Sequence, residues 1–157
     1  MTVDDELCVH PTACRDLLQH VLFPTDFLEN ADLAFPVVKA LSALGAQEIT
    51  LLHVQDSSRI HPHLSDRLNE FNRIDEQRLT GLKLSITAET ERENVSIHIS
   101  YGRPVPEILR LSKELGATCL VLGRHGRGAI AEAALGGTSH NVIRHAEVPV
   151  LTVPNDR

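Results

Sequence analysis

Glycines crowd one stretch of this 157-residue chain: Gly123-Arg-His-Gly126-Arg-Gly128 and, further on, Gly136-Gly137-Thr138-Ser139. Without a Cβ, such residues let backbone N–H groups approach an anion closely. The second group precedes Val142 and Ile143, which read as the face of a short helix. It would therefore open that helix, whose first N–H groups are unpaired and whose dipole favours negative charge. Two such elements facing one another make a cradle for phosphate. The same residues also have a plainer use, because glycines form turns after strands and Thr138 or Ser139 could serve as a helix N-cap. Local charge favours the cradle. Residues 123–145 hold Arg124, Arg127 and Arg144 against Glu132 alone, a local +2 in a chain whose formal net charge is −6. Familiar phosphate and nucleophile signatures are absent: there is no GxxxxGK[ST], no GxGxxG after the first strand, and no GxSxG elbow. Cys8-x-His10-x3-Cys14 offers two thiols and an imidazole, but no fourth zinc ligand is evident. His61 and His63, either side of Pro62, read as an exposed loop, and Cys119 as a small buried apolar residue.

A scaffold must bring the glycines to one edge of a fold. Val21-Leu22-Phe23, closed by Pro24-Thr25-Asp26, reads as a buried strand with a stop. Ala31, Ala34, Val38, Leu41 and Leu44 then recur at helical spacing, with Gly45 ending the run. Pro36 inside that pattern predicts a kink, or a helix whose regular part starts near Pro36. Ile49–Val54 is apolar on both faces, as suits a strand covered by helices. A long amphipathic stretch puts Leu64, Leu68, Phe71, Arg78 and Leu82 on one stripe with Ile74 beside it, and its apolar members are expected in the core. Val95, Ile97 and Ile99 alternate with polar residues, as in a strand nearer an edge. Pro106 can start the next helix, with Ile108, Leu111 and Leu115 on its face and Gly116 at its end. Thr118–Leu122 and Val148–Val153 complete the strands. Strands joined by helical crossovers pair in parallel through right-handed βαβ units. The expected fold is an α/β open sheet with helices on both faces, Rossmann-like. Ligands of such sheets bind beyond the carboxyl ends of the strands, where strand order reverses. That singles out Pro24–Asp26, His53–Gln55 and Gly123–Arg127.

Composition narrows the partners. With 42% hydrophobic and 23% charged residues, a chain of this length is expected to make one core and one domain. Residues 1–18 read as an irregular leader with no secretory signal. No run of 18 apolar residues is present, so no membrane partner is expected. Three cysteines, an odd number, suit a reducing cytoplasm. Four Phe, one Tyr, no Trp and an acidic balance argue against nucleic acid, whose single strands ask for a basic groove and aromatic platforms.

Over about residues 19–154 the chain resembles the universal stress protein family. Gly123-x2-Gly126-x9-Gly136 matches the glycine spacing of the family's Gly-x2-Gly-x9-Gly-[Ser/Thr] motif. Leu22-Phe23-Pro24-Thr25-Asp26-Phe27, Leu51-Leu52-His53-Val54, Gly102-Arg-Pro104-x-Pro-Glu107-Ile108 and Asn141–Val153 are similar to its first strand and turn, second strand end, third-helix entry and closing helix and strand. The resemblance implies a five-stranded parallel sheet of order 3-2-1-4-5, a homodimer through the last strand (here Val148–Val153), and binding of ATP or a related adenine nucleotide, with or without Mg. It places Pro24, Thr25 and Asp26 at the ribose, the backbone of Val54 at adenine, Leu122, Gly123, His125 and Gly126 along the ribose and phosphate path, and Gly136, Gly137 and Thr138 at the phosphates. Gly137 stands where the motif has Ser or Thr, which displaces one side-chain donor to Thr138 or Ser139. The lack of aromatics leaves adenine to aliphatic side chains and backbone amides. The expected role is regulatory, a stress-response protein in the cytoplasm that signals through nucleotide occupancy. Two alternatives stay open: a nucleotide-independent dimeric interaction module, and a slow ATPase. The latter has no dedicated acid–base pair in the sequence.

Overall fold

A computed structural model of the chain describes residues 16–60, 67–124 and 137–154. Strand β1, His20–Pro24, forms where three successive apolar side chains find cover on both faces: Val21, Leu22 and Phe23 are at most 1% exposed. Around it the chain alternates: α1 (Glu29–Ala43), β2 (Glu48–Asp56), α2 (Leu68–Thr90), β3 (Val95–Gly102), α3 (Pro104–Glu114), β4 (Cys119–Arg124), α4 (Thr138–His145) and β5 (Val150–Pro154). The sheet has the order β3-β2-β1-β4-β5 and every neighbouring pair is parallel. Both the fold class and the strand order are as expected. From β1 the chain winds out to β3, crosses back and winds out to β5. Strand order therefore reverses between β1 and β4.

The sheet separates two apolar cores. On one face Val21, Phe23, Leu51 and Val121 pack with Ala34 and Val38 of α1 and Leu79 and Ile86 of α2. On the other, Leu22, Leu52, Leu120 and Leu122 pack with Ile108 and Leu111 of α3 and Val142 of α4. At the amino ends of the strands, buried His20 donates from Nδ1 to the Leu115 carbonyl (2.9 Å), and its Nε2 meets the Thr50 hydroxyl (2.7 Å).

The helices differ from the sequence reading in three respects, and β5 begins at Val150 where Val148 was expected. Helix α1 begins at Glu29 and continues through Pro36, so its regular part does not start near the proline. Pro36 is exposed, where solvent can reach the carbonyl that its ring leaves without an N–H. Helix α2 buries Asp75, Leu79 and Ile86, with Leu82 packed partly against the core. Leu68, Phe71 and Ile74 are only half-buried and Arg78 is exposed, so the predicted stripe is rotated from the true inward face. Leu64 lies outside the described residues. Helix α3 starts at Pro104, not Pro106.

The turn into α3 shows why its motif reads Gly-Arg-Pro-x-Pro-Glu. A Cβ on Gly102 would come within 2.8 Å of Cγ of Glu107. The Glu107 carboxylate accepts from Arg110 Nη2 (2.7 Å) and from the Ser100 hydroxyl. These bonds, Arg110's first, hold its carboxyl below the ordinary range near 4.5. A group depressed in the folded state stabilises above its unfolded pKa, and that stability is lost as pH falls through the folded value. Glu107→Gln should therefore lower the urea midpoint by a constant amount from pH 7 down to about pH 5, with the deficit shrinking at lower pH as the native carboxylate protonates. Urea titrations across that range check this, and a deficit independent of pH would contradict it.

Candidate functional site

At the reversal point the chain leaves β1 through a turn closed by its own side chains. Thr25 N–H donates to Leu52 O (2.8 Å), extending the ladder beyond Pro24. The buried Thr25 hydroxyl accepts from Phe27 N (3.0 Å), and Asp26 Oδ1 accepts from Leu28 N (3.0 Å). Ser/Thr and Asp close local turns in this manner. The Asp26 side chain itself is exposed. Phe27 takes the left-handed conformation, φ 59, which a bulky residue adopts only when its surroundings require it.

Those surroundings come from β2 and α2. The Phe27 ring lies 4.6 Å, centroid to centroid, from the His53 imidazole, and the Arg78 guanidinium lies 5.2 Å from its centroid. His53 Nδ1 is 2.8 Å from Thr25 O. A carbonyl only accepts, so Nδ1 carries the hydrogen. His53 Nε2 is 3.5 Å from Oδ2 of the buried Asp75, and that oxygen also accepts from Gln55 Nε2 (2.9 Å). Beyond them, at the end of β2, a hydrogen bond from the Ser58 hydroxyl holds the Asp56 carboxyl below its usual value.

The other wall belongs to β4 and α4. A Cβ on Gly123 would lie 1.9 Å from the Asn30 carbonyl oxygen and 2.4 Å from its carbon. No side chain fits, because the first turn of α1 rests directly on the strand. The Ser139 hydroxyl donates to Gly123 O (2.9 Å), which ties the start of α4 to the end of β4. Gly137 precedes the helix with φ +93, a conformation that favours glycine, and space is open where a side chain would project. Asn141 Nδ2 holds the Gly137 carbonyl (3.0 Å). No side chain caps α4, so the N-cap reading of Thr138 and Ser139 is not met. The Thr138 hydroxyl has no hydrogen-bond partner among the described residues.

The structure thus gathers Pro24, Thr25, Asp26, Val54, Leu122 and Gly123 at the carboxyl ends of β1, β2 and β4, with Gly137 and Thr138 drawn in by Ser139. Leu122 is buried in the core under α3 and α4, so only its backbone can face a ligand. Val54 is half-buried and packs against the same core. His125, Gly126, Gly136 and Arg127, like Cys8, His10 and Cys14, lie outside the described residues. Asp75, Phe27 and Arg78 were not singled out by sequence spacing as parts of this site. Asp75 had one signal, an acid on the face of α2 that also carries Leu79 and Ile86.

An open parallel sheet whose strand order reverses between β1 and β4, with helices on both faces, defines a doubly wound α/β protein. The sequence pattern of the universal stress protein family matches residues 18–154. Universal stress protein MJ0577 of Methanocaldococcus jannaschii is 31% identical in an alignment that spans 87% of this chain and 95% of that protein. Its solved structure has a TM-score of 0.68 at 32% identity, covering 90% of this chain and 99% of that one. Two more distant structures share the fold. A universal stress protein family protein from Arabidopsis thaliana with AMP bound has a TM-score of 0.60 at 23% identity, covering 88% and 92% of the two chains. A universal stress protein in complex with cAMP has a TM-score of 0.66 at 20% identity, covering 87% and 96%. The chain belongs to the universal stress protein family.

The close approach at Gly123 carries a direct test. Gly123→Ala should cost about 3 kcal/mol of stability, the upper range for forcing extra atoms into a packed site, because the neighbour is backbone and cannot swing away. Urea unfolding of the two proteins measures it, and a loss below about 1 kcal/mol would show that α1 can shift.

Proposed function

We propose that this protein binds an adenine nucleotide in the crevice between the β1 turn and the start of α4, and acts in the stress response through the occupancy of that site. The observation that carries the reading is the Ser139–Gly123 hydrogen bond. It sets Gly137 and Thr138 beside the end of β4, on the strand next to the one that carries exposed Asp26. The residues suit such a ligand. Asp26 engages one carboxylate oxygen with Leu28 N–H, and a ribose diol would take the other. Pro24 and Thr25 shape the nucleoside side, the backbone of Val54 meets adenine, and Leu122 contributes backbone alone. Gly123, His125, Gly126, Gly136, Gly137 and Thr138 hold the phosphates. The lone hydroxyl of Thr138 takes the part of the side-chain donor that Gly137 cannot supply. Two relatives of the same fold hold AMP and cAMP, which supports the adenine-nucleotide class.

Residues 19–154 form the nucleotide-binding unit in this reading. A cytoplasmic setting accords with the odd number of cysteines and with the finding that no described helix is long and apolar enough to cross a membrane. A second reading, a dimeric interaction module, is favoured by β5. It is a sheet edge, and Leu151 on it and Ile143 on α4 are each more than 40% exposed. In that reading the dimer forms alike with and without nucleotide, which light scattering tests.

Calorimetric titration with ATP, ADP and AMP, each with and without Mg, tests the first reading. Saturable binding of at least one nucleotide is expected, and Asp26→Ala should weaken it about tenfold, as loss of a hydrogen bond to a charged group would. Absence of heat at millimolar nucleotide, from protein that still unfolds cooperatively, would contradict it.

A further inference from the structure

The β1 turn cannot hold its shape alone. Phe27 sits in a conformation that bulky side chains avoid. The local bonds from Phe27 N and Leu28 N close the turn but do not hold the ring or the Thr25 carbonyl. The Thr25 carbonyl is held by His53, and the Phe27 ring lies against His53, under Arg78 and on the edge of the core. The Nδ1–H of His53 donates to Thr25 O. On the opposite side of the ring, Asp75 Oδ2, itself anchored by Gln55, lies 3.5 Å from Nε2, an ion-pair distance when both ring nitrogens carry hydrogen. With hydrogen on both nitrogens, each donates toward an acceptor, which selects a single ring orientation. Asp75 is buried on α2, where an acid has no place in an apolar interface unless it is paired. Thr25, which receives the imidazole hydrogen bond, is the residue next to Asp26.

We propose that His53 and Asp75 are positioning residues for nucleotide binding. The ring of His53, oriented by Asp75, fixes the Thr25 carbonyl and the Phe27 ring, and through them aims the Asp26 carboxylate at the ribose hydroxyls. The inference rests on the nucleotide reading given above. It adds a chain of contacts, Asp75 to His53 to Thr25–Phe27, that reaches the site from α2.

The test compares native protein with His53→Leu, His53→Asn and Asp75→Asn by titration with AMP, ADP and ATP. His53→Leu keeps bulk but loses the donor, and should weaken binding about tenfold. The factor should be the same for all three nucleotides, since the turn holds the nucleoside half they share. His53→Asn places an amide N–H near the position of Nδ1, and should recover most of the lost affinity although it lacks the ring. Asp75→Asn should fall between the native protein and His53→Leu. A merely structural role would lower the urea midpoint and leave affinity unchanged. The proposal is overturned if His53→Leu binds within twofold of native, or if His53→Asn binds as weakly as His53→Leu. Should His53→Leu not fold, Asp75→Asn decides, and affinity within twofold of native overturns the proposal. No binding by the native protein would defeat the nucleotide reading and this inference with it, whereas native binding that ignores these substitutions would defeat only the positioning role.

Discussion

The first turn of α1 rests on β4 so closely that one methyl group at position 123 would collide with the Asn30 carbonyl. Much of the candidate site follows from that contact. It fixes the height of α1 over the sheet, and so the path by which the chain must leave β1 to reach Glu29. That path is the turn carrying Thr25, Asp26 and Phe27. The same glycine carbonyl accepts the Ser139 hydroxyl, so the position that seats α1 also seats the start of α4. Two helices from distant parts of the chain are thereby referenced to one backbone position at the reversal of strand order.

The two walls of the crevice are held by different means. On the β4 side the fit is steric: absence of a side chain at Gly123 and a left-handed φ at Gly137, locked by the hydroxyl of Ser139 and the amide of Asn141. On the β1 side a left-handed Phe27 is held by a buried polar relay from α2. Backbone contacts of the first kind tolerate little change. Side-chain contacts of the second kind can be altered one group at a time.

The order of elements was legible in the sequence because each strand is apolar on both faces or alternates cleanly, and each helix repeats at its own period. Val21–Phe23 and Ile49–Val54 read as covered strands and are strands, and the alternation at Val95–Ile99 marks the edge it occupies. Pro36 left the start of α1 open because its cost depends on where the orphaned carbonyl points, which a sequence does not show. The inward face of α2 was misread because polarity ranks Asp75 as a surface residue, and only its partners Gln55 and His53 make its burial possible. Gly123 illustrates a different gap. Its spacing marked it as a special position on the expected phosphate path. The structure gives it a packing reason that spacing alone cannot distinguish. Ser139 was visible only as a displaced hydroxyl, because its partner is a main-chain carbonyl sixteen residues away.

The central claim is spatial: an adenine nucleotide lies across the carboxyl ends of β1 and β4 with its ribose at Asp26. A crystal structure of the protein grown with AMP tests it most directly. The expected result is adenosine density between the β1 turn and Gly137, with ribose hydroxyls within hydrogen-bond distance of the Asp26 carboxylate. AMP bound elsewhere on the molecule, or seated there with its ribose out of reach of Asp26, would contradict the claim.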